Sequence, residues 1–135
     1  MKEIEIIKPD DWHVHFRDNE FLKAVVPETT RHFARAMVMP NLIPPILNAK
    51  QAIDYKKRIE KVIPKNDCFS PLMTIYLTEE TNKYEIKDGY NSGAVFAVKL
   101  YPAGATTNSD SGVKDIKKVM TILETMADIG MPLLI

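Results

Sequence analysis

The sequence predicts an α/β fold with a parallel sheet, either a barrel or a doubly wound sheet. Three observations carry this. Five short apolar runs, rich in Val, Ile, Tyr and Phe and bounded by Pro, Gly or Asn, read as strands. The segments between them repeat apolar residues at helical spacing, so strand and helix alternate along the chain. The strands are continuous runs more than strict alternations, as expected of a sheet covered on both faces.

The elements follow in order. "IEII" leading into "WHVHF" is the first strand, and a helix over roughly Asn19 to Phe33 comes next, with Pro27 expected to break or kink it. "RAMVMPN" is the second strand. Asn48 then stands where an N-cap belongs, ahead of Ala52, Lys56, Ile59, Val62 and Ile63 at threes and fours. "CFSPLMTIYLT" is the third strand, followed by a weaker helix over Glu79 to Asn91. "AVFAVKLYPA" is the fourth. After the polar turn "TTNSDSG", the residues Val113, Ile116, Val119, Met120, Leu123, Met126 and Ala127 give the clearest helical stripe, with Ser109 or Ser111 as its cap. Gly130 ends it and Pro132 prevents its resumption. "MPLLI" is a fifth strand.

Composition narrows the class of partner. Lys plus Arg and Asp plus Glu number 18 each, so no net charge favours nucleic acid or a membrane surface. No run of 18 apolar residues occurs, and the charged start "MKEIEIIKPD" lacks the apolar core of a signal peptide. A cytoplasmic protein is the expectation, and the single cysteine, Cys68, allows no internal disulfide. No Gly-x-Gly-x-x-Gly follows the first strand, which argues against a nucleotide-binding sheet. A closed eight-stranded barrel takes about 250 residues. A chain of 135 residues stopping at "GMPLLI", with no polar tail, is expected to be the N-terminal portion of one barrel domain, cut at the start of strand five.

Chemistry concentrates at strand ends. In "DWHVHFRD" the alternation puts His13, His15 and Arg17 on one face and Trp12, Val14 and Phe16 on the other, the latter as an apolar layer against helices. Two imidazoles a pleat apart can reach one metal ion; the plainer alternative is two strand-end histidines bonded to nearby backbone. Arg17 beside them suits a substrate carboxylate, because its fork is bidentate; an ion pair with Asp18 or Glu20 is the alternative. Lys99 is isolated in an apolar strand. Burial would lower its pKa, and a neutral amine can take up carbon dioxide to form an anionic carbamate; snorkelling to solvent is the alternative. Asn41 ends the second strand, either lining a site or simply turning the chain. The loop "GATTNSDSG", with its paired Thr106 and Thr107, suits a mobile lid. His32, Cys68 and the methionines have bland readings.

Together "DDWHVHFRD", "VMPN", "PLMTIYLT" and "KLYPAGATTNS" resemble the bacterial dihydroorotases of the single-function type, within the amidohydrolase superfamily. The resemblance runs along the whole chain and rests on the order and spacing of four motifs. It implies the N-terminal part, about five strands and four helices, of a (β/α)8 TIM barrel. It implies a two-zinc centre in which His13 and His15 bind the more buried ion and a carboxylated Lys99 bridges both. Arg17 and Asn41 would hold the substrate carboxylate, with Thr106 and Thr107 on the loop that closes over it. The reaction implied is the reversible cyclisation of N-carbamoyl-L-aspartate to L-dihydroorotate in pyrimidine biosynthesis, in an enzyme commonly homodimeric. Two further histidines and a proton-shuttling aspartate of the family have no matching position, so the chain alone is expected to be inactive and its own zinc occupancy weak. Two other readings stand beside this one: a hydantoinase-like hydrolase of another cyclic amide, and a non-catalytic half-barrel that associates with other chains.

Overall fold

A computed structural model describes residues 3–135. Five strands, β1 (Asp10–Val14), β2 (Arg35–Val38), β3 (Ser70–Tyr76), β4 (Ala97–Lys99) and β5 (Leu133–Leu134), pair in parallel in the order β1-β2-β3-β4-β5. Between them run α1 (Glu20–His32), α2 (Ala49–Glu60), α3 (Lys83–Asn91) and α4 (Met120–Ile129), the last preceded by a 3-10 turn over Ile116–Val119. Sequential parallel strands joined by helices make a half-barrel whose two edges, β1 and β5, have no strand partner among the described residues. No helix among them is long and apolar enough to cross a membrane.

Strand alternation divides the side chains between two layers. Ala36, Val38, Met73, Ile75, Leu77, Val98 and Leu100 face the helices and join Leu22, Val26, Tyr55, Ile59, Ile86, Ile122 and Met126 in the main core. The intervening Met37, Met39 and Ala97, with Leu72 and Leu134, form a smaller cluster on the inner face of the sheet. Lys99 lies two residues beyond Ala97 and therefore shares that inner face.

Several elements depart from expectation, each for a local reason. The first strand begins only at Asp10, and Ile4, Ile6 and Ile7 are exposed and outside regular structure. Pro27 does not end α1, which runs through it to His32. Proline removes one backbone donor, but burial of Leu22, Val26, Thr29 and Thr30 on one face holds the helix against the sheet. Helix α3 starts later than Glu79, at Lys83, because Asn82 caps it by accepting from the Tyr84 N–H. Glu79 instead accepts from the Lys114 and Asp115 backbone and pairs with Lys118 at 2.7 Å.

The fourth helical stripe also begins late. Val113 returns to the end of β4, where its N–H donates to the Tyr101 carbonyl at 2.8 Å and its carbonyl accepts from Ala103 at 3.1 Å. The cap of the following turn is Asp115, accepting from Lys117 N–H, and neither Ser109 nor Ser111.

Candidate active site

The site is built at the C-terminal ends of the strands, the end where parallel barrels carry their chemistry. Strand β1 supplies His13, and the segment just past it supplies His15 and Arg17. Between Asp11 and Val14 the pairing with β2 slips by one residue. Such a bulge re-aims side chains, and here it spans Trp12 and His13, the latter with its N–H held by the Asp11 carboxylate at 2.9 Å. The two imidazoles converge, Nε2 to Nε2, at 3.1 Å. Two nitrogens bound at about 2.0–2.1 Å to one ion stand about 2.9–3.4 Å apart at angles from square to tetrahedral. The pair therefore fits two positions of a single metal ion. Among the described residues no third His, Cys, Asp or Glu joins them.

The outward face of the same stretch is less uniform than its alternation suggests. Phe16 is fully buried and meets Phe69 edge-on at 6.3 Å. Trp12 does not pack in the helix layer: it is 56% exposed and stands beneath the Arg35 guanidinium. It lies on the outermost strand, near the ion pair of Arg35 with Asp10.

Arg17 adopts a left-handed φ of 60°. This conformation costs a non-glycine residue about 1–2 kcal/mol, and two contacts hold it. The Tyr55 hydroxyl donates to the Arg17 carbonyl, and burial keeps that phenol protonated by pushing its pKa up. Arg58 grips both oxygens of the adjacent Asp18, at 3.0 and 2.8 Å. Asp18 is thus occupied, and Glu20 pairs with Lys23 at 3.0 Å. Neither carboxylate considered for Arg17 takes its guanidinium, which instead donates to the Asn41 carbonyl at 3.5 Å.

Lys99 is the last residue of β4, 5% exposed, with its ammonium 5.2 Å from the centre of the Tyr101 ring. It does not snorkel to solvent. Desolvation lowers its pKa, so the neutral amine is more accessible than on an ordinary lysine. His15 is lowered as well, first by burial and then by the charges of Arg17 and His13, while the Asn41 amide set against it works the other way.

Asn41 is 2% exposed. Its Nδ2 donates to the Thr107 carbonyl at 3.0 Å, and its own carbonyl accepts from the Asn108 side chain at 3.2 Å. The loop is braced from within by Ser109. That hydroxyl donates to the Thr106 carbonyl at 2.6 Å and accepts from the Thr106 N–H at 2.8 Å. Tyr76, stacked on Tyr101 at 5.0 Å, donates to the Asn108 carbonyl at 3.3 Å.

His13, His15, Arg17, Asn41, Lys99, Thr106 and Thr107 all line one cavity of about 350 Å³, with Tyr101, Pro102 and Ile135. Sequence reasoning missed Tyr101, Tyr76 and Ser109. Tyr101 was in plain view two residues after Lys99, on the same face by alternation; nothing in the sequence marked Ser109 as a brace.

No family model matches the chain. Curated relatives are dihydroorotases: that of Rhizobium meliloti is 56% identical over 133 residues, 98% of this chain and 38% of that protein. The Agrobacterium fabrum protein is 54% identical over 133 residues, covering 98% and 39%. The chain thus spans little more than a third of the length of the relatives it matches. The crystal structure of dihydroorotase from Campylobacter jejuni superposes with a TM-score of 0.85 at 41% identity, over 93% of this chain and 37% of that one. The Saccharomyces cerevisiae dihydroorotase in complex with 5-fluoroorotic acid gives 0.85 at 35% identity, over 93% and 34%. An L-hydantoinase from Arthrobacter aurescens, at 0.71 and 16% identity over 93% and 28%, shares the fold alone. The resemblance carried by the four motifs therefore extends along 98% of the chain, which in sequence and in fold is similar to part of a bacterial dihydroorotase.

Proposed function

We propose that this chain supplies the first metal ligands and the carboxylate clamp of a dihydroorotase, the enzyme that interconverts N-carbamoyl-L-aspartate and L-dihydroorotate. One observation carries the reading: seven residues from separate motifs, on three strand ends and one loop, converge on a single cavity. His13 and His15 would hold the more buried of two zinc ions, and a carboxylated Lys99 would bridge the pair. Metal bound here supplies a polarised carbonyl and a water of lowered pKa. The chain's own residues do the positioning. Arg17, which pairs with no carboxylate among the described residues, offers its fork to the carboxylate of the substrate. Thr106 and Thr107 bring two hydroxyls over the same cavity on a loop tied to Asn41 and Tyr76. Low exposure of Lys99 lowers its pKa and so favours the neutral amine, the form that reacts with carbon dioxide.

The further histidines and the aspartate required by the resemblance are not among these 135 residues, so turnover by the chain alone is expected to be negligible. The open edges at β1 and β5 favour association with another chain, in keeping with a homo-oligomer. A cytoplasmic protein acting on a small molecule is in keeping with the neutral overall charge.

The test is a graft. These residues replace the matching 38% of the Rhizobium meliloti dihydroorotase, and hydrolysis of L-dihydroorotate is measured. The graft is expected to turn over, and His13→Ala or Lys99→Ala in it to abolish activity. A folded but inactive graft, or undiminished turnover in either variant, would refute the reading.

A further inference from the structure

The chain turns sharply as it leaves β1. Arg17 and Asn19 both hold a left-handed φ, 60° and 56°, a conformation that residues with side chains rarely adopt. Most of what holds the turn comes from one face of α2. Tyr55 and Arg58, three residues apart, share that face, and the Arg58 guanidinium stands 5.2 Å from the centre of the Tyr55 ring. The Tyr55 hydroxyl donates to the Arg17 carbonyl. Arg58 donates to both Asp18 oxygens, at 3.0 and 2.8 Å, and the Asn19 N–H donates to one of the same oxygens at 2.8 Å.

This turn is a wall between two cavities. On its inner side Arg17 lines the cavity shared with His13, His15 and Lys99. On its outer side Asp18 and Arg58 line a smaller one of about 200 Å³, with Pro44 and Gln51. Tyr55 and Arg58 are not among the residues described as lining the inner cavity, and Tyr55 is buried in the main core. Any influence on a molecule bound inside therefore passes through the backbone of Arg17 and Asp18. The Arg17 guanidinium itself is lightly held. Its hydrogen bond among the described residues is the long one, 3.5 Å, to the Asn41 carbonyl. The direction of the side chain is set at its root, and the root is what α2 grips.

We propose that Tyr55 and Arg58 are positioning residues for Arg17, fixing the left-handed turn from which its guanidinium enters the cavity. A long arginine loses conformational freedom when it clamps a ligand, and a fixed root reduces that loss. Such a clamp acts on bound substrate and transition state alike, so its loosening raises KM more than it lowers kcat. The substrate part of this inference rests on the reading of Arg17 as a carboxylate clamp; the hold of α2 on the turn does not.

Two measurements test it. In the whole 135-residue chain, the nuclear Overhauser effect between the Arg17 amide proton and its own Hα reads the left-handed φ. It is expected to be strong in wild type and to weaken when Tyr55→Phe and Arg58→Met are combined. A weak effect in wild type, or no change in the double variant, overturns the hold of α2. The second measurement is a double-mutant cycle in the active graft, with L-dihydroorotate as substrate. Tyr55→Phe, which keeps the buried ring, is expected to lower kcat/KM about 3- to 10-fold through KM. Arg58→Lys, which keeps the charge without the fork, should lose less than Arg58→Met. In an Arg17→Met background Tyr55→Phe should have no further effect, whereas a merely structural role would give the same loss in both backgrounds. Equal losses in both, or a loss in kcat alone, overturn the positioning role. Unchanged kinetics in Arg17→Met refute the clamp reading and with it the substrate part, while the chain measurement still decides whether α2 holds the turn.

Discussion

Gly112 closes the neck of the loop that carries Thr106 and Thr107, and its replacement by alanine is the sharpest test of how that loop is held. A Cβ built at Gly112 would sit 2.3 Å from the Tyr101 carbonyl oxygen, 2.9 Å from the Ser109 oxygen and 3.0 Å from the Ala103 nitrogen. All three are backbone atoms, so no side chain can swing aside. Relief requires the neck to part, which breaks the Val113 to Tyr101 and Ala103 to Val113 bonds and strains that from Gly112 N–H to Ser109. At about 1 kcal/mol for each bond, Gly112→Ala should cost about 2–4 kcal/mol. Gly104 provides the contrast. It has φ +72°, yet nothing lies within 4 Å of a Cβ there, so alanine costs only the left-handed penalty of about 1–2 kcal/mol. Urea denaturation ranks the two variants, and amide exchange at Val113 and Ala103 reports the neck directly. Gly112→Ala should be the more destabilising and should deprotect those amides. Equal or reversed ranking, with the neck amides still protected, would show that the neck does not hold the loop.

Other predictions follow from the same cavity. The stacked tyrosines should respond oppositely to loss of the hydroxyl: Tyr101→Phe removes an unpaired group and should leave stability unchanged or higher. Tyr76→Phe loses the bond to Asn108 and should cost about 1 kcal/mol; matching losses in thermal melts would contradict this. Burial and neighbouring charge hold His15 below its ordinary value of 6.5, so the unfolded chain protonates first as pH falls. The contribution of His15 is then fully present above that value and is lost as pH drops through the folded pKa. His15→Gln should flatten this part of the stability profile, and an unaltered slope would exclude His15 as its source. Lys99→Met removes a buried amine that enters none of the ion pairs of the described residues; its melting midpoint at neutral pH should rise, and a fall would mean that Lys99 has a partner in solution.

Much of this was legible in the sequence because it depends on period and punctuation. Strand alternation alone put His13, His15 and Arg17 together, and Asn48 marked the start of α2, where its side chain does accept from Gln51 N–H. The parallel order followed from the alternation of elements. What failed were places where a distant contact outweighed a local preference. Pro27 sits inside α1 because one face of that helix is buried. Val113 has helical spacing, yet it goes back to β4 to close a loop, and Ser109 braces that loop from within. Trp12 has the alternation of a core residue but stands on the outermost strand. The occupied state of Asp18, which keeps that carboxylate from Arg17, depends on Arg58, a residue 40 positions away. No local pattern could announce it.

The central claim is that His13, His15 and Lys99 form part of a metal centre. It is tested most directly by crystallising the 135-residue chain with zinc and collecting data on both sides of the zinc absorption edge. The account predicts an anomalous peak within about 2.0–2.1 Å of Nε2 on both His13 and His15, on the side facing Lys99, and its loss in His15→Ala. Zinc bound elsewhere, or both imidazoles turned away from a common ion with the loop in place, would contradict it.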